Sequence, residues 1–292
     1  MMVAGLGTIL NIILDPIFIF ELESFGNIGF GLGISGAAMA TVISQAIVFI
    51  VFIFMLFFKN HSYVTFNLND FSFSSDIILD IIKIGLPASL SMIVMAVGQG
   101  VFNKILVHIS VETVAAYQVA GRLDMLVFLP IFSIAASLTT LIGMFYGAKE
   151  YEALRFTIRY GIFSALIITI FSSATVYIFA DQVVRFFTED ESIVIIAVNF
   201  LQIFAFAYPF IAVGITTGRV LQGLGKGLPV LVITIVRVLG VSAPLSLFFI
   251  FVMDKSVEWV WYSMMLSTVV AFAIGLTWLF STVKKLPVKN TV

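Results

Sequence analysis

Asn11 and Asp15 stand one helical turn apart in the apolar run Gly5–Glu21, GLGTILNIILDPIFIFE, with Pro16 directly behind the acid. Residues four apart share a helix face, so the amide and the carboxyl can serve one site. A charge at bilayer depth costs about 2.5–3.5 kcal/mol on insertion scales. Such a group must face a wet cavity, find a partner or take up a proton. Pro16 removes a backbone donor and clashes with the carbonyl of Ile12, which predicts a bend between Ile12 and Asp15. Freed carbonyls beside a carboxyl make a cation or proton site. The plainer alternative is an Asp near the outer end of its helix, hydrated from outside. Against it, Ile17–Phe20 continue the apolar run beyond the acid.

A second polar set lies in AYQVAGRLDMLVFLP, where Arg122 and Asp124 are two apart and so face different directions. Arg237 falls about ten residues into its own apolar stretch, near the bilayer midplane at ~1.5 Å per residue. An unpaired Arg there is costly, and Asp124 from another helix is its candidate partner. Such an ion pair either orients helices or takes part in transport. Thr41, closing the small-residue patch GISGAAMAT (Gly33–Thr41), either joins Asn11 and Asp15 or bonds back within its own helix; the patch itself allows close helix approach. Lys104 and His108 are expected to snorkel to the surface. The chain has no cysteine and only His61 and His108 to offer imidazole, so no metal site is expected. Gly223–Gly227 (GLGKG) looks like a phosphate loop but follows a membrane helix rather than a strand. No nucleophile–base pair is evident. These observations argue against an enzyme.

The elements that must position these residues follow from composition. The 292 residues are 61% hydrophobic and only 11% charged, with a mean hydropathy of +1.16, where a soluble domain carries about 25% charged residues. The expected fold is all-α and polytopic, in a lipid bilayer. A net charge of -1 argues against nucleic acid as a partner. A span needs about 20 mostly apolar residues. Eight stretches qualify: Met1–Phe20, Ile34–Phe58, Ile77–Val107, Val114–Tyr146, Leu154–Ala180, Ile193–Gly218, Leu228–Met253 and Val257–Val283. Gly85, Pro87, Gly98, Gly100 and Pro130 predict tilt or kinks in the third and fourth. The polar stretch Lys59–Asp76 divides the chain, giving residues 1–58, a linker 59–76, a six-helix part 77–283 and a tail 284–292.

Basic residues alternate with acidic loops. Lys59 and Lys83, then Lys149, Arg155 and Arg159, then Arg219 and Lys226, then Lys284, Lys285 and Lys289 mark one side. Glu21 and Glu23, Glu112, Asp181 with Glu189–Glu191, and Asp254 with Glu258 mark the other, with Arg185 and Lys255 as its only basic residues. The positive-inside rule then makes the linker and C-terminus cytoplasmic, in a multi-pass protein of the plasma membrane, a bacterial or archaeal inner membrane. The apolar N-terminus has neither the basic region nor the cleavage site of a signal peptide.

The ordered segments LNIILDPIFIF, GISGAAMATVISQ, GLPASLSMIVMAVGQGVFNKIL, AAYQVAGRLDMLVFLP, LTTLIGMFYGAKEYEAL and VLQGLGKGLP together resemble the multidrug and toxic compound extrusion (MATE) family. The resemblance covers essentially the whole chain. It implies two six-helix lobes in a twelve-helix transporter, of which residues 1–58 supply the last two helices of the first lobe and residues 77–283 the second lobe. The first four helices would then lie upstream of Met1, as in an N-terminally truncated product. It also implies export of amphipathic or cationic compounds by an antiporter coupled to H⁺ or Na⁺, with no cofactor. The family's Asn-x-x-x-Asp-Pro pattern lands on Asn11 and Asp15, and its following Thr on Thr41, as the cation-coupling set. The second-lobe acids used by another subgroup are replaced by Met95 and an apolar residue near Ile211. Gln-Asn, common in the family at the α-hairpin turn, is replaced by Met144 and Phe145. A lipid-linked oligosaccharide flippase of the same superfamily is an alternative, although only Arg122 and Arg237 offer basic cavity residues. A non-transporting fragment, or one assembled with a separate N-terminal piece, is another.

Overall fold

Helices cover the apolar stretches in the computed structural model, apart from one break, over the residues that it describes, 2–21, 29–58 and 73–287. Most of the expected linker (59–72), with Lys59 and His61, the stretch 22–28 and residues 288–292, with Lys289, lie outside the described residues. The helices are α1 (Met2–Ile19), α2 (Gly33–Phe58), α3 (Ser75–Ile109), α4 (Val111–Gly147), α5 (Tyr151–Arg185), α6 (Glu191–Ala205), α7 (Tyr208–Gly223), α8 (Leu228–Ile235), α9 (Ala243–Leu247) and α10 (Glu258–Lys284). Wider π-helical turns, Val236–Ser242 and Phe248–Val252, flank α9 and join it to α8 in one span, Leu228–Val252. No strand occurs among the described residues. By length and composition six helices can cross a membrane, the bent pair α6–α7 adds a seventh, and α1 is a shorter apolar helix. The chain is therefore a multi-pass membrane protein. It divides into two compact units, Met1–Phe73 and Ser74–Val292.

In the first unit α1 and α2 form an antiparallel hairpin. Gly7 lies against Val48 and Gly36 against the backbone of Phe18, so both ends of the pair meet where a side chain is missing. Ala40 and Ser44 are buried between them. The loop N–H groups of Phe30 and Leu32 bond the carbonyls of Ile17 and Phe18, each at 2.9 Å, closing the end of α1. Gly31 and Gly33 sit at φ 60° and 55°, a conformation open to glycine at little cost. A methyl at Gly36 would land on the Phe18 carbonyl. Gly36→Ala is therefore expected to destabilise the hairpin by about 1–3 kcal/mol, the usual cost of overpacking. Gly5→Ala, which meets open space, is the neutral control. Thermal unfolding of the two variants in detergent checks this.

In the second unit α4 packs against α5, α6 and α7, and α10 against α7 and the π-helical turn. The buried face of α4 runs Thr113, Ala116, Ala120, Leu123, Val127, Ile131, Ala135, Leu138 and Ile142. Those steps of three and four residues trace one helix face, and its alanines bring neighbours close. One core cluster gathers Phe102, Phe200, Tyr208 and Trp261. Another, elsewhere along α4, gathers Leu138, Leu154, Leu221 and Leu279.

Two prolines shape this unit, neither of them one expected to kink a helix. Helices α3 and α4 run unbroken through Pro87 and Pro130. The stretch expected as a single span from Ile193 to Gly218 is instead two helices, α6 and α7, meeting at 58°. Pro209, at the start of α7, has no N–H for the carbonyl of Ala205 four residues back. The buried Ser173 hydroxyl on α5 donates to that carbonyl instead. Pro244 likewise leaves the Gly240 carbonyl without its helical donor, and the Ala243 N–H reaches back five residues to Val238. That register is the π-helical turn that carries Arg237. Outside the spans, Arg185 clamps Asp181 and Glu191 at 2.9 and 2.8 Å. The Ser192 N–H and hydroxyl hold the Asp190 carboxyl below its ordinary range.

Candidate functional site

The first polar group assembles on one helix. The Asn11 amide donates to the Asp15 carboxylate at 3.1 Å across one turn of α1, and the pair is half-buried. Pro16 follows within the helix, so the Ile12 carbonyl lacks its usual N–H partner while α1 continues to Ile19. Helix geometry thus places a carboxylate, an amide and an under-bonded carbonyl on adjoining turns of an apolar helix. Those are oxygen donors of the kind that hold a proton or a hard cation. The contacts of Gly7 with Val48 and of Phe18 with Gly36 put Thr41 of α2 level with Ile13 and Leu14, within a turn of Asp15. Its hydroxyl donates to the Ala37 carbonyl at 2.9 Å, so of the two roles open to it, back-bonding within α2 is the one seen. The Thr41 side chain is exposed, and its hydroxyl oxygen keeps lone pairs beyond that bond.

The second polar group is arranged differently from the expected ion pair. Asp124, on α4, accepts a 2.5 Å hydrogen bond from Tyr208, the first residue of α7 and wholly buried. Among the described residues no ion pair includes Asp124, Arg122 or Arg237. Arg122 is exposed on α4. Its side chain leaves the helix about 200° round from that of Asp124, at ~100° per residue, so it cannot share the acid's surroundings. Arg237 is half-buried on the π-helical turn. A tyrosine hydroxyl, that of Tyr208, and not a guanidinium is thus the partner of the carboxyl.

Aromatic rings enclose the cluster. Tyr117 stacks on Trp261 at 5.9 Å and meets Phe200 edge-on at 5.7 Å, and Phe128 meets Tyr208 edge-on at 5.4 Å. The Trp261 Nε1 and the Asn199 Oδ1 are buried without a hydrogen-bond partner. Such atoms are commonly satisfied by internal water. Polar groups and aromatic rings thus meet in the interior of the second unit, where Tyr208 reaches Asp124 on α4. Tyr117 could have been found from sequence, because it precedes Asp124 by seven residues and shares its helix face. Tyr208 could not, since 84 residues and a helix break separate it from the acid.

The sequence model described as MatE matches residues 87–248. The chain is 28% identical over 256 residues to the probable multidrug resistance protein NorM of Thermotoga maritima, covering 87% of this chain and 53% of that protein. It is 30% identical over 226 residues to the multidrug export protein MepA of Staphylococcus aureus, covering 77% and 48% respectively. The chain thus spans about half the length of these curated relatives. Among solved structures it superposes on the outward-facing conformation of a multidrug resistance MATE family transporter of the MOP superfamily with a TM-score of 0.89. That match has 31% identity and covers 100% of this chain and 63% of the other.

Proposed function

The chain belongs to the MatE family, and from that premise we propose that it serves a cation-coupled antiporter exporting amphipathic or cationic compounds. The observation that carries this reading is the Asn11–Asp15 pair beside Pro16, a half-buried carboxylate with an amide partner on an apolar helix. A carboxylate on an apolar helix must face water, find a partner or take up a proton or cation. In this reading Asp15 is the coupling group, Asn11 orients it and Thr41 supplies a further oxygen. Multidrug export, named for the NorM and MepA relatives, gives the substrate class. Family members are transporters, so binding and conformational change stand in place of catalysis.

The cation drives transport only if it binds the inward- and outward-open states with different affinity. Loading Asp15 removes its bare charge and alters the packing of the turn from Ile12 to Pro16, the place where α1 has lost a hydrogen bond. Asp124 with Tyr208 would form a second polar element, in the other unit. The alternation of basic and acidic loops supports a plasma-membrane protein with its linker and C-terminus in the cytoplasm.

Everted vesicles from cells making the protein test the coupling. A fluorescent lipophilic cation is expected to accumulate when a proton gradient, or in a parallel arm a sodium gradient, is imposed. Accumulation should collapse when the corresponding ionophore dissipates that gradient. Uptake that survives the loss of both gradients would exclude antiport.

A further inference from the structure

A cleft of about 960 Å³ opens along the second unit between α5, α7 and α10. Its walls are apolar except at one end, where Arg155, Arg159 and Tyr160 stand, and no acidic residue lines it. Phe163, Leu166, Phe210, Leu276 and Phe280 form its length. From Arg155 to Leu166 is eleven residues. At ~1.5 Å per residue that is roughly 16 Å. Half of a hydrocarbon core of about 30 Å has the same length. The cleft is therefore one leaflet deep, with charge at its surface end and hydrocarbon-like walls down to the break at Pro209.

The two arginines are one turn apart on a single face of α5, yet they are used differently. Arg155 donates to the carbonyls of Leu286 at 2.9 Å and Pro287 at 3.4 Å, fastening the segment after α10. Arg159 forms no ion pair among the described residues. Lys284 and Lys285, ending α10, add positive charge to the same end of the unit. A cationic compound would be repelled by this entrance.

We propose that the cleft is a binding site for an anionic phospholipid, its phosphate on Arg159 and one acyl chain lying along Phe163, Leu166 and Leu276. Basic pockets between membrane helices hold anionic headgroups by this chemistry, and long basic side chains reach from apolar surroundings to the headgroup level. The assignment rests on the membrane-spanning fold and not on which compound is exported, so its failure would leave the transport reading untouched.

Native mass spectrometry of the purified chain, equilibrated with equal amounts of dioleoyl phosphatidylglycerol and dioleoyl phosphatidylcholine, tests this. The expected result is retention of one phosphatidylglycerol in about tenfold preference, equivalent to about 1.4 kcal/mol. Arg159→Gln should bring the preference close to one, while Arg159→Lys keeps most of it. Lys104→Gln, a basic residue outside the cleft, should change nothing. Leu166→Trp, which fills the deep end, should lower retention of both lipids, with thermal unfolding confirming that each variant is folded. Equal retention of the two lipids by the unaltered chain overturns the proposal, as does an undiminished preference in Arg159→Gln. Displacement of the lipid by equimolar oleate would make the site one for any anionic amphiphile. A dimer that excludes lipid would make the cleft an interface between copies.

Discussion

Asp15→Asn is expected to reduce gradient-driven export to background while leaving the protein folded and able to bind its substrate. The asparagine keeps the shape of the side chain and an oxygen for the 3.1 Å bond from Asn11. What it loses is the negative charge and the capacity to take up a proton. Moving a two-state equilibrium from 1:99 to 99:1 needs a ligand that binds one state about 10⁴-fold better. A neutral amide at position 15 removes the group that would give the cation any such preference. Asp15→Glu, which keeps the charge on a longer stem, should retain part of the activity. Asn11→Ala should be intermediate. It removes one hydrogen bond worth about 0.5–1.5 kcal/mol, equivalent to a loss of up to about tenfold in cation affinity. Vesicle transport with matched expression, alongside substrate binding to detergent-purified protein, separates these cases. Full gradient-driven efflux by Asp15→Asn would remove Asp15 from the coupling role.

Tyr208→Phe carries the second large effect, and it falls on stability. The substitution keeps the ring contacts with Phe128 and Phe204 but withdraws the hydroxyl that Asp124 accepts from. An interior polar group left without its partner costs about 1–3 kcal/mol, more if it is charged. Asp124→Asn should cost less, because the amide oxygen still accepts from Tyr208. A double-mutant cycle with Tyr208→Phe and Asp124→Leu tests the pairing itself. The doubly changed chain should be more stable than the sum of the single losses, with a coupling of about 0.5–3 kcal/mol. Additive losses, or a Tyr208→Phe chain as stable as the original, would show that the contact contributes nothing.

Membrane helices were readable because hydropathy is a local property. The runs Ile34–Phe58 and Leu154–Ala180 are too apolar and too long to be anything else, and the structure has α2 and α5 over them. The Asn11–Asp15 contact was readable for the same reason, since a spacing of four on a helix is a distance. Which proline interrupts a helix was not legible. Pro87 and Pro130 lie inside helices that continue through them, whereas Pro209 breaks its span. At the break, Ser173 on another helix bonds the carbonyl of Ala205 that Pro209 leaves free. Nothing at position 209 records that.

The partner of Asp124 lay beyond the sequence for a related reason. Opposite charge favoured Arg237, but charge says nothing about which helix faces meet. The packing of α4 on α7 brought a phenol to the carboxyl and left the guanidinium out of any ion pair with it. The cleft at Arg159 has the same origin, since its walls come from three helices and its depth from their packing. The sequence by itself determined a helical membrane protein of this family and the Asn11–Asp15 pair, because each depends on neighbours along the chain. Tertiary structure alone decided which interior polar groups touch and where a lipid-sized space remains, because those depend on how helices distant in sequence pack.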